Sequence, residues 1–428
     1  MPSDRGMDAV LSARRARASQ AWNLTDEIVI VGAGSPIGIP GGFDQCYEYR
    51  PHPQYRWLTE SARPGSVIAF DPRSGWTHFV PPLTQLERVW DGEPEIPAGE
   101  SREGLTAWLE ARKGRKAAVL GSPIEGIQGD EELSKTLVTA LDHERRSKDE
   151  HELSLMRRAA VATAAGYGAA SEFIRPGVTE RQIQTVLESA MLNAGADGMG
   201  YASIVGTGSN SRIFHFTPGA REVQPNDLVL IDAGAHVDGY VIDVTRTFPA
   251  SGKWEGRQLA IRDIVRAAEE ASFAKCRVGT RWSESHRAAA YVIGQGLKDL
   301  GLVTTSVEDF CESGAVALFF PHGVGHAVGL GVRDSGGAMP GEHGEPRVVC
   351  GSRVRVDLPM KAGYVMTVEP GCYFIPALLT DVDKRAEHKD RLAWDKLDDW
   401  MDFGGVRIED NLLITDGEPE NLTIAIPY

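Results

Sequence analysis

The sequence predicts an α+β fold in two parts, a smaller N-terminal α/β domain over residues 1–146 and a larger domain over residues 147–428. In the first third of the chain, short apolar runs alternate with turn signals and one helical pattern. At residue 147 the pattern changes, because Ser147 and Glu150 form a capping box that opens an apolar helix. The strand-like runs beyond that helix suggest paired strands and not a regular βαβ wind.

In the N-terminal domain, four short apolar runs predict strands and one amphipathic run predicts a helix. The strands are predicted at 27–31, 66–70, 76–80 and 117–120, and the helix at 105–113. Two kinds of local motif are rejected. Gly32 and Gly34 begin like a dinucleotide loop but lack the third glycine, and the His-Glu pairs at 143–144 and 151–152 lack the second histidine of a zinc protease.

In the larger domain, Thr179 and Gln182 form a second capping box, and the helix that follows ends near Gly195. Further helices are predicted at 258–275 and 283–300, and strands at 228–232, 239–248, 364–369 and 406–414. The segment 381–402 is rich in charge and predicts a solvated helical insertion.

The composition narrows the classes of function. The 428 residues include 45 basic and 60 acidic side chains, and this net charge of −15 disfavours binding to nucleic acid or to an anionic membrane surface. The five cysteines are widely spaced without a Cys-x-x-Cys pair, which argues against a disulfide framework or a thiolate zinc site. We therefore expect a cytoplasmic protein with no leader peptide and no membrane span.

Five segments each place a carboxylate or an imidazole in an apolar or glycine-rich context, where an unpaired charge is costly to bury. They are 231–234, 242–245, 322–326, 368–371 and 407–410. If they converge, four carboxylates and one histidine give a formal charge of roughly −4, which two divalent cations neutralise. Oxygen-rich ligands with a single nitrogen favour Mn²⁺, with Co²⁺ or Zn²⁺ as alternatives. Asp232 and Asp243 are placed to face each other across a two-stranded ribbon, where one carboxylate can bridge both ions.

These segments, in this order, resemble the metal-dependent peptidases of the pita-bread fold, and within them the Xaa-Pro dipeptidases (prolidases), with aminopeptidase P close by. The resemblance covers the C-terminal two-thirds closely. It covers the N-terminal third loosely, through 55–57 and 77–81. It implies a catalytic pita-bread domain, a creatinase-like N-terminal domain and a homodimer.

The resemblance also implies roles for single residues. The metal ligands would be Asp232, Asp243, His326, Glu369 and Glu409, with Asp243 and Glu409 bridging the two ions. Glu369 would also shuttle a proton, and His215 and His322 would be active-site histidines that stabilise the oxyanion. Arg355 and Arg407 match arginines of the family and would bind substrate, and Arg355 falls where prolidases bind the carboxylate of a C-terminal proline.

One position departs from the family pattern. Seven residues after His326 the family keeps a histidine before an aspartate, whereas this chain has Arg333 and Asp334. Because arginine stays charged and only donates hydrogen bonds, we expect Arg333 to act as a fixed positive charge that binds substrate, not as a proton carrier. The alternative is that it pairs with Asp334 or with another acidic neighbour and shapes the loop.

The expected reaction is hydrolysis of the Xaa-Pro bond of dipeptides by a hydroxide that bridges two metal ions. Two alternatives stay open: an aminopeptidase P that acts on longer peptides, which would not need Arg355, and a catalytically silent binding module of the same fold. The partner expected in either enzymatic case is a small peptide.

Overall fold

The computed structural model describes residues 4–337, 339 and 347–428, and of residues 4 and 5 the backbone alone. This part of the chain divides into two compact units. One contains residues 4–145 and 339, and the other contains the remaining residues from Arg146 onward. Among the described residues, no helix is long and apolar enough to cross a membrane.

The N-terminal unit is built on a mixed sheet with strand order β4-β3-β2-β1-β5, in which β1 runs antiparallel to β2 and parallel to β5. Its strands are β1 (Ile28–Gly32), β2 (Val67–Asp71), β3 (Gly75–Val80), β4 (Glu100–Ser101) and β5 (Ala117–Gly121). Its helices are α1 (Asp4–Trp22), α2 (Pro53–Thr59), α3 (Gln85–Trp90), α4 (Gly104–Glu110) and α5 (Glu131–Arg146). Ile30, Val67 and Phe79 pack with Leu105 and Trp108 in the core between this sheet and α4.

The sequence predicted the four longer strands of this sheet and α4, but it missed α2, α3, α5 and the longest helix of the unit, α1. That helix buries Arg14, Ala18 and Trp22 and so presents no apolar stripe. The Arg14 side chain can be buried because its guanidinium donates to Trp57 O at 3.2 Å and pairs with Glu60. A helix whose buried face includes a bonded arginine does not produce a recognisable hydrophobic period.

The larger unit has long helices beside several small antiparallel sheets, as the α+β prediction requires. Its helices are α6 (Glu150–Phe173), α7 (Glu180–Asn193), α8 (Gly256–Lys275), α9 (Trp282–Asp299), α10 (Val307–Glu312), α11 (Pro376–Leu379), α12 (Val382–Glu387) and α13 (Trp394–Leu397), with 3₁₀ turns at Gly208–Arg212, Ala315–Leu318 and Asp398–Trp400. The charged segment 381–402 thus forms short helical pieces, and the Thr179–Gln182 capping box at the start of α7 is confirmed.

The strands of the larger unit pair in five groups: β10-β9-β6, β11-β8-β7, β12-β13, β14-β17-β18 and β15-β16. They are β6 (Gly198–Met199), β7 (Ile204–Thr207), β8 (Leu228–Asp232), β9 (Ala235–Val237), β10 (Tyr240–Val241), β11 (Thr245–Pro249), β12 (Arg347–Val349), β13 (Ser352–Val354), β14 (Val365–Val368), β15 (Gly371–Tyr373), β16 (Gly405–Arg407), β17 (Asp410–Leu413) and β18 (Glu420–Asn421).

The predicted capping box at Ser147 is wrong by two residues. The N-cap of α6 is Asp149, whose carboxylate accepts from Glu152 N at 3.0 Å, while Glu152 Oε2 accepts from Asp149 N at 3.0 Å. Ser147 donates instead to Ala362 O at 3.0 Å. Ser147 with Glu150 and Asp149 with Glu152 both have the residue types of a capping box. Because the Ser147 hydroxyl is bonded to Ala362 O, Asp149 is the residue that caps the helix.

The predicted strand 239–248 is divided into β10 and β11 by residues 242–244. Asp243 N donates to the Asn411 side chain at 3.1 Å instead of to a strand partner. The backbone of Ile242 also passes so close to Gly234 that a Cβ at that glycine would lie 1.6 Å from Ile242 O. Asp243 therefore lies in a break between two strands, and only glycine at position 234 permits the approach.

The predicted strand 406–414 is divided in the same way, into β16 and β17, and Glu409 lies in its break. Glu409 N donates to Thr245 O at 3.0 Å, so the second break is bonded to the first residue of β11. Because Asp243 precedes β11 by two residues, this single contact brings the two breaks and their carboxylates together.

A buried ion pair lies directly behind the second break. Arg246 Nη2 donates to Asp410 Oδ1 at 2.7 Å, and Arg246 Nη1 donates to Glu409 O at 2.7 Å. Thr423 Oγ1 donates to Asp410 Oδ1 at 2.7 Å, and the Arg246 guanidinium lies 4.1 Å from the Tyr428 ring centroid. Burial favours the neutral acid, but the Arg246 charge and these bonds prevail and lower the pKa of Asp410 below its usual range.

We expect Asp410→Ala to lower the free energy of unfolding by about 3–5 kcal/mol, because it leaves the buried Arg246 charge unpaired. Denaturant unfolding followed by circular dichroism measures this loss. Arg157→Ala is the matched control: its partner Glu420 and Arg157 itself are 44% and 42% exposed, so this variant should lose only about 0–1 kcal/mol. Equal losses in the two variants would contradict the importance of the buried pair.

Candidate active site

Three of the predicted metal ligands come together in the larger unit. Asp243, His326 and Glu409 are buried, and one ligand atom from each lies within 4.8 Å of the others. His326 Nε2 lies 3.3 Å from Asp243 Oδ2 and 3.8 Å from Glu369 Oε1, which places a fourth predicted ligand beside the cluster.

The fifth predicted ligand, Asp232, lies at the end of β8 and lines the same cavity. Its two oxygens are bonded separately: Tyr201 donates to Oδ1 at 2.7 Å, and Arg407 Nη2 donates to Oδ2 at 2.5 Å. In the β8–β11 register, Asp232 pairs with Thr245, so the ribbon does not place Asp232 directly opposite Asp243. The two aspartates are instead two residues out of register, which offsets their side chains along the ribbon.

The chemistry of this donor set fits a bound cation. Burial raises the pKa of Asp232 and Glu409 above the usual range for carboxyl groups and that of Glu369 to about 7, and repulsion between these carboxylates adds to the effect. His326 Nδ1 donates to Ala327 O at 3.0 Å, so Nε2 is the nitrogen that faces the carboxylates. Burial opposes a charge on this ring, yet the hydrogen bond and the negative charge of Asp243 raise the pKa of His326.

A hydrogen-bonded relay behind the carboxylates fixes their positions. Thr245 Oγ1 donates to Glu409 Oε2 at 2.7 Å and accepts from Arg407 Nε at 2.9 Å. Arg407 Nη1 donates to Tyr373 OH at 3.1 Å, so every nitrogen of this buried guanidinium is bonded to a protein atom. The geometry therefore shows Arg407, which we predicted to bind substrate, orienting Asp232 and, through Thr245, Glu409.

The two predicted active-site histidines have different surroundings. His322 Nδ1 bonds Gly323 O at 2.9 Å and Nε2 bonds Tyr373 OH at 2.9 Å. Burial, aided by Arg407, lowers the pKa of His322 to about 3, so the ring is neutral near pH 7. His215 is exposed, lines the cavity and makes no hydrogen bond to any described residue.

These residues surround one cavity of about 580 Å³. Phe214, Phe216 and Tyr201 contribute aromatic surface beside the carboxylates, while Arg333 and Arg355 supply positive charge at exposed positions. The cavity thus combines an acidic floor, an apolar side and a basic rim. One cavity therefore offers surfaces for a cation, for an apolar group and for an anionic group.

Arg333 does not pair with Asp334. The Asp334 carboxylate binds Lys148 Nζ at 2.8 Å, with both side chains almost fully buried, and accepts from Ser335 N at 2.8 Å. Within the described part of the chain, Arg333 makes no hydrogen bond or ion pair, and its charge contributes to the low pKa of His322. The Arg333 guanidinium therefore lines the cavity as a positive charge, and no contact with a described residue of the loop uses it.

Glu180, the first residue of α7, holds the segment that carries His215. Its fully buried Oε1 accepts from Thr207 N and Oγ1, both at 3.0 Å, and from Asn210 Nδ2 at 2.8 Å, while Oε2 accepts from Gly219 N at 3.2 Å. One carboxylate therefore joins the two ends of segment 207–219.

Sequence reasoning did not single out Glu180, Tyr373, Tyr201 or Thr245. Glu180 looks like an ordinary acidic residue in the first turn of a helix, and the other three side chains act only through neighbours that are distant in the chain. A glutamate placed directly after the capping threonine was the one available signal, but it did not reveal a tertiary role.

Comparisons with known proteins agree with this site. The model of metallopeptidase family M24 matches residues 154–416. An Xaa-Pro dipeptidase of Stenotrophomonas maltophilia is 34% identical over 397 residues, covering 89% of this chain and 88% of the relative. A probable Xaa-Pro aminopeptidase of Botryotinia fuckeliana is 29% identical, covering 90% and 86%. The solved structure of Pseudomonas aeruginosa aminopeptidase PepP superposes with a TM-score of 0.77 at 27% identity, covering 97% and 95%.

We expect Glu180→Gln to lower kcat for peptide hydrolysis by about tenfold while the metal content stays unchanged. The amide keeps an acceptor for Thr207 but turns a donor toward Gly219 N, so one end of the segment with His215 is released. Steady-state kinetics and metal analysis measure the two effects, and Glu188→Gln on the same helix is the control. A loss of thermal stability with unchanged kcat would show that Glu180 does not position His215.

Proposed function

Because the chain belongs to metallopeptidase family M24, whose members are hydrolases, we propose that it hydrolyses the Xaa-Pro bond of dipeptides with the aid of two divalent cations. The single observation that carries this proposal is the convergence of four carboxylates and His326 on one cavity with a basic rim. The Xaa-Pro dipeptidase relative, aligned over most of both chains, supports the choice of substrate.

Asp232, Asp243, His326, Glu369 and Glu409 would hold the ions. Two divalent cations balance roughly four negative charges, and a set of oxygens with one imidazole favours Mn²⁺, with Co²⁺ or Zn²⁺ as alternatives. When bound, such ions would lower the pKa of a water molecule and would polarise the scissile carbonyl.

The chain's own residues would complete the reaction. Glu369 is less buried than the Asp243 and His326 side chains, at 19% exposed against 8% for each, and faces the cavity. It would accept the proton of the attacking water at a carboxylate oxygen and deliver it to the leaving imino nitrogen.

His215 would donate a hydrogen bond to the developing oxyanion. Its ring nitrogens are free of bonds to described residues, whereas both nitrogens of His322 already have partners. His322 would instead keep Tyr373 in place behind the site.

The rim arginines would select the substrate. Arg355 lines the cavity and forms no hydrogen bond or ion pair with another described residue, so its guanidinium is available for the carboxylate of a C-terminal proline. Arg333 would add a fixed positive charge that attracts the same end of the peptide. A second candidate, an aminopeptidase on longer peptides, is favoured by the size of the cavity and by the aminopeptidase relatives.

We also propose a cytoplasmic homodimer. All five cysteines are free thiols, four of them buried, which agrees with a reducing compartment. The homodimer rests on the family resemblance alone and is tested by the mass of the protein in solution.

Chelation of divalent ions should abolish hydrolysis of Ala-Pro, and Mn²⁺ should restore it. Asp243→Asn should lower kcat/KM by about 100-fold and reduce the bound metal, because it removes a charge at the centre of the cluster. Elemental analysis and kinetics on the same samples measure both effects. Asp238→Asn, on an exposed turn, is the matched control. Full activity of the metal-free protein would overturn the metallopeptidase mechanism.

Arg355→Ala should raise KM for Ala-Pro by about 5–30-fold, the equivalent of about 1–2 kcal/mol for an exposed charged contact, and should leave Ala-Pro amide little affected. Arg333→Ala tests the second charge in the same assay. Arg353→Ala, exposed on β13 two residues before Arg355 but outside the cavity, is the control. Equal losses on both substrates would mean that Arg355 does not recognise the carboxylate, and faster hydrolysis of Ala-Pro-Ala than of Ala-Pro would favour the aminopeptidase.

A further inference from the structure

A third histidine, outside the cavity, is bonded to the segment that contains two histidines of the candidate site. We call this segment, 322–326, the histidine loop, because it begins and ends with those two residues. His286 lies on α9 and is fully buried. Its Nδ1 accepts from Val324 N at 3.1 Å, and its Nε2 bonds Val349 O at 3.2 Å. One imidazole therefore joins α9 to the middle of the histidine loop and to β12.

These two bonds require a neutral imidazole in a single tautomer. A backbone amide only donates and a carbonyl only accepts, so Nδ1 of His286 carries no proton and Nε2 carries one. Burial lowers the pKa of His286 to about 4; the bond to Val349 O opposes this shift and the charge of Arg287 adds to it. The ring is therefore neutral near pH 7 and can keep both bonds.

The histidine loop has few side chains of its own to hold it in place. Two of its residues are glycines that lie against other backbone segments. An added Cβ would lie 3.1 Å from Arg353 O at Gly323 and 2.0 Å from Thr367 O at Gly325. Val324, between them, is apolar and buried, so the position of its backbone depends on hydrogen bonds from other segments.

The carbonyl of Val324 is bonded to the strand end that carries another predicted metal ligand. Glu369 N donates to Val324 O at 2.7 Å, and Thr367 N donates to His326 O at 2.8 Å. Val324 thus donates to His286 and accepts from Glu369. A shift of its backbone would move Glu369 relative to His326, whose Nε2 lies 3.8 Å from Glu369 Oε1.

The ring of His286 also packs toward the first residue of the histidine loop. It stacks on Phe320, with ring centroids 5.0 Å apart and an interplanar angle of 29°. Phe320 in turn meets the His322 ring edge-on, at 5.0 Å and 83°. His286 therefore supports the loop through a backbone bond at its centre and through one intervening ring at its start.

We propose that His286 is a positioning residue of the metal site, which holds His326 and Glu369 in their relative arrangement through its bond to Val324 N. This inference rests on the proposed function, since it assigns His286 to the site that would hold the two cations. His286 lies outside the cavity lining, so it acts through the backbone of the histidine loop. Loss of such a supporting hydrogen bond typically lowers metal affinity by about 10–100-fold.

Two substitutions separate the two bonds of His286. His286→Asn places an amide oxygen near the position of Nδ1, so it keeps an acceptor for Val324 N and loses the bond to Val349 O. His286→Gln reaches as far as Nε2, so it keeps a donor for Val349 O and loses the acceptor for Val324 N. We expect His286→Gln to weaken Mn²⁺ binding to the chelator-stripped full-length protein by about tenfold or more, and His286→Asn to stay within about threefold of wild type. Isothermal titration calorimetry measures both affinities.

Ser285→Ala, on the same helix, is the matched control. It also removes a buried hydrogen bond, which joins Ser285 Oγ to Ser272 Oγ at 2.5 Å, and it should leave the Mn²⁺ affinity unchanged. Thermal unfolding follows the stability of all three variants. Because both substitutions of His286 remove one buried bond and the ring stacked on Phe320, their losses of stability should be similar while their metal affinities differ.

Equal Mn²⁺ affinities in the two variants of His286 would overturn the proposal, and so would a loss in Ser285→Ala as large as that in His286→Gln. Amide hydrogen exchange of the metal-free wild type is a second test that needs no variant: the Val324 amide should be protected before any metal is added, and rapid exchange would contradict the role of His286. An inactive wild type that binds Mn²⁺ would contradict the proposed dipeptidase activity alone. An active wild type with equal variants would contradict the role of His286 alone.

Discussion

The structure depends on one electrostatic constraint, the accumulation of largely buried carboxylates beside one cavity. Asp232, Asp243, Glu369 and Glu409 repel one another there, and burial favours the neutral forms of Asp232, Glu369 and Glu409. Three contacts reduce this repulsion. The Arg407 guanidinium donates to Asp232, and the Thr245 hydroxyl donates to Glu409. The His326 imidazole lies beside Asp243. These contacts neutralise only part of the charge, and the remainder is the driving force for binding cations.

The interruption of strands is the means by which the fold creates this cluster. A continuous strand alternates its side chains between two faces, and its amides are used by its neighbours. At Asp243 and Glu409 the ladder stops, the amides bond to Asn411 and Thr245, and two acidic side chains reach the same space. The buried Arg246–Asp410 pair lies next to the break that contains Glu409. Residues that stabilise the fold are therefore adjacent in the chain to residues that form the site.

Much of the fold and of the candidate site could be predicted from the sequence, and the rest could not be predicted for physical reasons. The carboxylates and His326 were recognisable because charged residues in apolar runs are costly to bury unless they are paired or bind a cation. The long helices α6 to α9 were recognisable by the period of their apolar residues, whereas α5 was not predicted. Strand continuity at 239–248 and 406–414 was misjudged, since an apolar run does not reveal where a ladder stops. Glu180, Thr245 and Tyr373 were missed because their partners are brought to them by the fold, and α1 was missed because a bonded arginine occupies its buried face.

The Lys148–Asp334 pair has a consequence for how the cavity can change over evolutionary time. Since Lys148 and backbone amides satisfy the Asp334 carboxylate, the loop keeps its shape without help from the preceding side chain. A substitution at position 333 is therefore expected to change the cavity without the loss of stability that often accompanies a new function. A single substitution there can exchange a guanidinium for another side chain and alter the charge of the cavity while the ion pair keeps the loop folded.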